Sequence, residues 1–376
     1  MQAGIDLISF HTSNYFLDLK TLAGVRGVDF NKFYVGLGQE KMSVPPPDDD
    51  IVTLGAGAAK PIVEQTDPDS IELLLFATES GIDHSKAAGL YVHRLLKLSG
   101  RCRVVELKEA CYAGTAALQL ALPYVLANPG KKALIIAADI ARYELGSPGE
   151  PTQGSGAVAM LVSANPRLLA VDPECGYYAA DVMDFWRPNY RGAALVDAWK
   201  QYQQRSNRHV TDLARCCYHL PFTKIAEKAH ERLCKADGLP VPDETVLNNC
   251  VRGSLHYNRV TGNTYTASLY EGLCSLLDHD PEDLAGQRIG LFSYGSGCMA
   301  EYFSGVVQPG YRNHLFSLRH KNLLDSRLEL SYQQYEDIFN HGIPTDGQEH
   351  PFAQYKTGPF RLSGVKEHKR LYEVVT

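Results

Sequence analysis

Ile71-Glu72-Leu73-Leu74-Leu75-Phe76-Ala77 is a near-continuous apolar run of strand length, as expected of a strand covered on both faces. A helix-spaced stretch, Leu90 to Leu98, follows it. Then come Val104-Val105-Glu106-Leu107, a small-residue helix from about Tyr112 to Leu126, and two further strand-like runs, 133–138 and 157–162. Strands separated by helices predict an α/β layered architecture with helices packed on the sheets.

The second half repeats the order more loosely. A short strand over Leu213 to Tyr218 precedes a helix from about Lys224 to Cys234. Ile289 to Tyr294 reads as a strand ending in Gly295-Ser296-Gly297, and Met299 to Val307 is placed to return antiparallel beside it. There is no exact repeat and no Pro/Gly/Ser linker, so the two halves, 1–165 and 166–376, are expected to share one core. From about Arg319 the chain is more polar and aromatic and is expected to wrap the outside as a C-terminal extension.

The 376 residues are 44% apolar and 21% charged with a net charge of −6, the balance of a globular chain able to bury a large core. Asp48-Asp49-Asp50, after three prolines, reads as a solvated loop. The basic tail Lys366, Lys369, Arg370 is too small for a nucleic-acid footprint. No apolar stretch approaches the roughly 20 residues that span a bilayer, and Met1 to Phe10 lacks the features of a signal peptide. Nine cysteines, an odd count without CxxC pairing or zinc-ligand spacing, suit a reduced, cytoplasmic chain. Neither nucleic acid nor a membrane is implied as a partner. Neither HExxH nor a carboxylate cluster suggests a metal.

Cys111 lies between a strand and a helix rich in small residues, at a helix N-terminus that favours a thiolate. The competing reading is an inert buried thiol, and Glu109 would oppose a thiolate if it pointed inward. Glu79 follows the strand 71–77 and is either a general base or a surface acid. His219 ends the strand 213–218 just before Leu220-Pro221-Phe222, as a functional imidazole or a loop cap. Asn263, in Gly262-Asn263-Thr264-Tyr265-Thr266-Ala267-Ser268, is an oxyanion donor or an N-cap. Tyr294-Gly295-Ser296-Gly297 either brings backbone N–H groups to a ligand or makes a tight turn. Gly55-Ala56-Gly57-Ala58-Ala59-Lys60 lacks the spacing of a phosphate loop.

Seven segments together carry a family likeness. They are Ala77-Thr78-Glu79-Ser80-Gly81, Glu109-Ala110-Cys111-Tyr112, Glu150-Pro151-Thr152-Gln153-Gly154, Asp184-Phe185-Trp186-Arg187-Pro188, His219-Leu220-Pro221-Phe222-Thr223-Lys224, Gly262-Asn263 and Phe292-Ser293-Tyr294-Gly295-Ser296-Gly297. In this order the chain resembles the hydroxymethylglutaryl-CoA synthases, thiolase-like condensing enzymes. The resemblance implies a five-layered αβαβα fold from two pseudo-equivalent halves, a homodimer, and acetyl-CoA and acetoacetyl-CoA as substrates, with no separate cofactor. It implies Cys111 as the acetyl carrier, Glu79 as the base that enolises the acetyl group, and His219 at the second substrate. Asn263 and Ser296 would bind the acyl portion, Thr152 would lie near it, and Tyr143 would line its pocket. Lys224 and Lys228, one helical turn apart, would serve the CoA phosphates.

After Ala194-Leu195-Val196-Asp197 the family pattern implies a longer segment with a serine near the substrate, which this chain lacks. The ending Phe360 to His368 is similar to relatives that act on acyl carrier protein in polyketide β-branching. Lys224 favours the free-CoA enzyme over that alternative. A ketoacyl-synthase-like enzyme would not need Glu79, and a non-catalytic thioester-binding protein would not need Cys111, Glu79 and His219 together.

Overall fold

The computed structural model describes residues 2–184 and 189–375, with the side chains of 189–191 left undescribed. Phe185-Trp186-Arg187-Pro188, one part of the family likeness, lies outside the described residues. The central sheet has nine strands: β1 Ala3–His11, β2 Ile71–Ala77, β3 Arg103–Leu107, β4 Lys132–Ala141, β5 Gly154–Ala164, β6 Leu169–Ala179, β7 Arg215–Tyr218, β8 Arg288–Gly295 and β9 Met299–Val307. Their order is β3-β2-β4-β5-β1-β6-β9-β8-β7. The join between β1 and β6 is slight, two residue pairs at Gly4 and Ile5.

Outward from that join the two sides match. β1-β5-β4-β2 and β6-β9-β8-β7 each show two antiparallel pairings followed by a parallel one. On the first side β3 adds a further parallel edge strand. The expected antiparallel return of Met299 to Val307 is present over eight residue pairs.

Alternation along the strands sorts side chains into layers, because successive Cβ atoms point to opposite faces. On β2, Leu73, Leu75 and Ala77 face the central layer, where helices α3 (Ala113–Ala127) and α6 (Ser268–His279) lie. Leu74 and Phe76 face the outer helices α1 (Ile51–Val63) and α2 (Ala88–Leu95). On β8 and β9, Ile289, Leu291 and Phe303 point to the centre. Phe292, Tyr294 and Tyr302 point out to α4 (Asn189–Ser206) and α5 (Lys224–Ala236). Three apolar cores between five layers give the αβαβα fold.

Three expectations need correction. Residues 110–127 are apolar over 18 residues at a mean hydropathy of 1.3, close to spanning length. That apolarity belongs to α3, which lies between the two sides of the nine-stranded sheet. Asp48-Asp49-Asp50 is buried, not solvated. Asp50 caps α1 through the Val52 and Thr53 N–H groups and accepts from Arg370 at 2.8 Å, while Asp48 pairs with Arg361 at 3.2 Å. The acidic run and the C-terminal basic residues are therefore partners.

The C-terminal extension does more than wrap the outside. Its hairpin, β10 (Phe360–Lys366) and β11 (Lys369–Val374), inserts Phe360, Leu362 and Tyr372 into the outer core. His320, 1% exposed, accepts from the Phe10 N–H and bonds Asp278 at 2.6 Å.

Candidate active site

Matched strands deliver matched side chains. Glu79 follows β2 and His219 follows β7, the equivalent strand of the other half. Between them stand the entries to the two central helices: Cys111 just before α3, and the Asn263 loop just before α6. Each entry contains a non-glycine residue in the left-handed region, Ala110 at φ 43° and Tyr265 at φ 42°, an arrangement that surrounding contacts must hold in place.

The Cys111 thiol donates to Glu79 Oε1 at 3.0 Å. Burial, reinforced by the charge of Asp139, pushes the Glu79 carboxyl up to about 7, against the opposing pull of the Cys111 bond and Lys108. Glu109 is exposed at the rim. Tyr143 hydrogen-bonds Tyr265 and Asn263, and both phenols feel Cys111 and Glu79. Asn263 is buried, and its Oδ1 accepts from the Tyr265 N–H at 2.9 Å. Its amide N–H₂ is thereby turned toward Tyr143. The N-cap reading is not met, since the cap position of α6 is Ala267.

The Gly295 loop packs against Cys111's own turn. A Cβ at Gly295 would stand 2.7 Å from the Glu109 carbonyl and 3.0 Å from Tyr112 N, so only glycine lets the loops approach. Ser296 follows, half-buried. Thr152 is adjacent through backbone, its carbonyl accepting from Asn263 N at 3.2 Å. Its hydroxyl is spent on Gly149 O at 2.8 Å.

His219 bonds Ser268 Oγ through Nδ1 at 2.7 Å. It lines a cavity of about 210 Å³ with Tyr218, Lys228, Arg232, Phe292 and Tyr294. The two lysines do not act as one face. Lys228 lines this cavity, whereas Lys224 binds Glu227 at 2.5 Å, beside the Arg252–Glu227 pair, in a separate cleft. Charge neutralisation by Glu227 is the physical reason that the pairing inferred from i, i+4 spacing divides. Among the described residues no group of three His, Cys, Asp or Glu is placed to hold a metal ion.

Cys111, Glu79, Tyr143, Asn263 and the turn carrying Ser296 thus converge, and His219 lines the neighbouring cavity. Residues 1–167 match the family model "Hydroxymethylglutaryl-coenzyme A synthase N terminal", and residues 241–344 match the corresponding C-terminal model. The chain belongs to the hydroxymethylglutaryl-CoA synthase family. It is 44% identical to the hydroxymethylglutaryl-CoA synthase of Enterococcus faecalis, over 92% of this chain and 94% of that protein. It is 34% identical to the polyketide biosynthesis 3-hydroxy-3-methylglutaryl-ACP synthase of Bacillus subtilis, over 99% and 96%. An HMG-CoA synthase solved in complex with CoA superposes with a TM-score of 0.92 at 40% identity, all of both chains being covered.

Within this synthase fold the short stretch after Asp197 has a simple form. α4 runs unbroken through it, and Leu195 lines the His219 cavity.

Two partners escaped sequence reasoning. Asp139 is fully buried and accepts from Thr78 Oγ1, Glu79 N, Ser80 N, Thr266 N and Thr266 Oγ1 at 2.5–3.1 Å. A lone carboxylate within the apolar run of β4 was the signal. Ser268, which fixes His219, gave none.

The raised Glu79 carboxyl carries a stability consequence. Between its ordinary value of 4.5 and about 7 the folded protein binds a proton that the unfolded chain releases. Stability therefore falls as pH rises through that window, and the full cost is present above 7. Glu79→Gln should stabilise the protein by about 1–3 kcal/mol at pH 8 and by little at pH 4.5. Urea denaturation at the two pH values checks this, and a gain that is equal at both would contradict it.

Proposed function

We propose that this protein condenses acetyl-CoA with acetoacetyl-CoA to give 3-hydroxy-3-methylglutaryl-CoA. The observation that carries the proposal is the 3.0 Å contact between the Cys111 thiol and a Glu79 carboxyl poised near neutrality. One group is suited to hold an acyl chain and the other to move a proton beside it.

The Cys111 sulfur attacks the thioester carbonyl, the acetyl–sulfur bond of acetyl-CoA breaks, and CoA leaves with the thiol proton. Glu79, as carboxylate, takes a proton from the acetyl methyl. The resulting enolate carbon forms a bond to the ketone carbon of acetoacetyl-CoA. The ketone oxygen becomes an alkoxide beside His219, whose ring Ser268 fixes, and takes the proton that Glu79 removed, which restores the Glu79 carboxylate. Water then cleaves the Cys111 thioester, releasing the new carboxylate and restoring the thiol. Asn263, Tyr143 and Ser296 surround the acyl group and donate to its oxygen, and Thr152 anchors Asn263 from behind. The reading uses no cofactor, and the nine free cysteines fit a reducing, cytoplasmic setting.

The second reading delivers the acyl groups on a carrier protein, as the name of the Bacillus relative states for that protein. Lys228 and Arg232, which line the His219 cavity, favour CoA, because a carrier's phosphopantetheine lacks the adenosine phosphate that they could bind. Lys224 supports neither.

A homodimer fits the free edge of β3. Among the described residues that strand pairs with β2 alone, and Val105 on the strand and Leu120 on α3 are exposed apolar side chains. An open strand edge with apolar neighbours invites a second copy about a two-fold axis. Light scattering at micromolar concentration should give twice the mass of the chain, and Val105→Lys should give the monomer. A wild-type monomer would refute this arrangement.

Incubation with acetyl-CoA should add one acetyl mass to the intact protein, and Cys111→Ala should abolish it. Glu79→Ala should keep the acetyl group while condensation falls by about 10²–10⁴-fold, the usual worth of general base catalysis. Acetyl on another cysteine, or loss of acetylation with condensation intact, would sink the assignment.

Lys228→Ala should raise KM for CoA substrates by about tenfold or more, the loss of one charge-assisted contact, with kcat little changed. Lys224→Ala should change neither. A protein indifferent to Lys228 with CoA, yet faster with carrier-bound acyl groups, would establish the carrier reading instead.

A further inference from the structure

Asn263 sits in a short loop whose flanks converge on one buried acid. Thr261 ends a helical turn, Gly262 takes φ 84°, and Thr264 leads toward α6. The Thr261 hydroxyl donates to Glu271 Oε1 at 2.6 Å and the Thr264 hydroxyl to Oε2 at 2.9 Å. Glu271, 2% exposed, stands in the first turn of α6. From the opposite side the loop is pressed against residues 152–154. A Cβ at Gly262 would lie 2.0 Å from the Gln153 carbonyl, and Asn263 N bonds Thr152 O.

We propose that Glu271 is a positioning residue that sets the Asn263 amide by clamping both sides of its loop through Thr261 and Thr264. This rests on the proposed role of Asn263 at the acyl oxygen. A bidentate clamp on residues one before and one after the Gly262–Asn263 pair fixes where the peptide turns, and the Tyr265 N–H then fixes the rotation of the amide. Two hydroxyl donors on one carboxylate, one per oxygen, satisfy a group that is otherwise shut off from water.

Arg327 acts as outer support. It donates to Ser43 Oγ and Val260 O, next to Thr261, and its charge acts on Glu271. An amide displaced by even a fraction of an ångström from a developing oxyanion loses much of its value, because the interaction depends on preorganised geometry.

The test is a double-mutant cycle on the full-length protein, reading kcat for condensation, KM for both CoA substrates, acetyl occupancy of Cys111 and melting temperature. Asn263→Ala should lower kcat by about 10²–10³-fold. Glu271→Ala should lower kcat by about 10–100-fold with KM changing less than threefold. Glu271→Gln, which keeps one acceptor and gains a donor for a threonine oxygen, should recover most of that loss. The double variant should be no slower than Asn263→Ala alone, since a clamp has nothing to position once the amide is gone.

Thr264→Val, nearly isosteric and able to fold where Glu271→Ala fails, should show a loss of about 3–10-fold that also vanishes in the Asn263→Ala background. Multiplicative losses in the double variants, or equal falls in kcat and acetyl occupancy that track melting temperature, would overturn the proposal. An unimpaired Asn263→Ala would instead remove the role assigned to Asn263 itself, a result separable from failure of the clamp.

Discussion

The carboxylate of Asp139 is the point on which the arrangement turns. It is buried between the layers, and all five of its close partners are donors: two hydroxyls and three backbone N–H groups. A protonated acid would have to donate one bond itself, so this shell suits the ionised form. Burial alone pushes its pKa up, and the hydrogen bonds pull the other way. The donors come from both halves, Thr78 to Ser80 after β2 and Thr266 at the entry of α6. One acid therefore fastens the turn that carries Glu79 to the segment that leads to Ser268 and, through it, to His219. The same negative charge helps to hold Glu79 near neutrality, so structural fastening and proton chemistry share one source.

The two halves explain why the site sits where it does. Equivalent strands, β2 and β7, hold matching places in the two sides of the sheet, and the residues that follow them include the base and the imidazole. The two central helices, α3 and α6, each begin behind a residue at positive φ. Thr115 of α3 bonds Tyr270 of α6 at 2.7 Å, locking the helices to each other inside the core. A site built at such a junction draws its rigidity from three cores at once.

Much of this was legible in the residues. The run 71–77 announced a doubly covered strand because both of its faces are buried, whereas the Gly295 loop, read as approaching a ligand or turning tightly, proved to approach the turn of Cys111. Cys111, Glu79 and His219 each followed a strand, which is where such folds present functional groups. Other features could not be read locally. Asp48 to Asp50 looked solvated because their partners, Arg361, Arg370 and Tyr372, lie more than three hundred residues away. Lys224 and Lys228 looked like a pair because helical spacing carries no information about Glu227, which binds Lys224 and, on its other oxygen, Arg252. Ser268 is an ordinary serine until folding brings it under His219.

Acids recur behind the reacting groups. Asp139 stands behind Glu79, Glu271 behind Asn263, and Glu301 behind Tyr112, whose hydroxyl it accepts at 2.6 Å. Each is almost fully buried, and burial raises the pKa of each. An apolar residue of similar volume would fill the same space without that desolvation cost. What it could not do is accept two or more directed hydrogen bonds and so fix the course of a loop. The strained turns at Ala110 and Tyr265 need such fixing, since neither is a backbone conformation an ordinary residue adopts unaided. The buried carboxylates thus exchange some stability for loop geometry, and they stand where the thiol, the base and the amide must keep their separations.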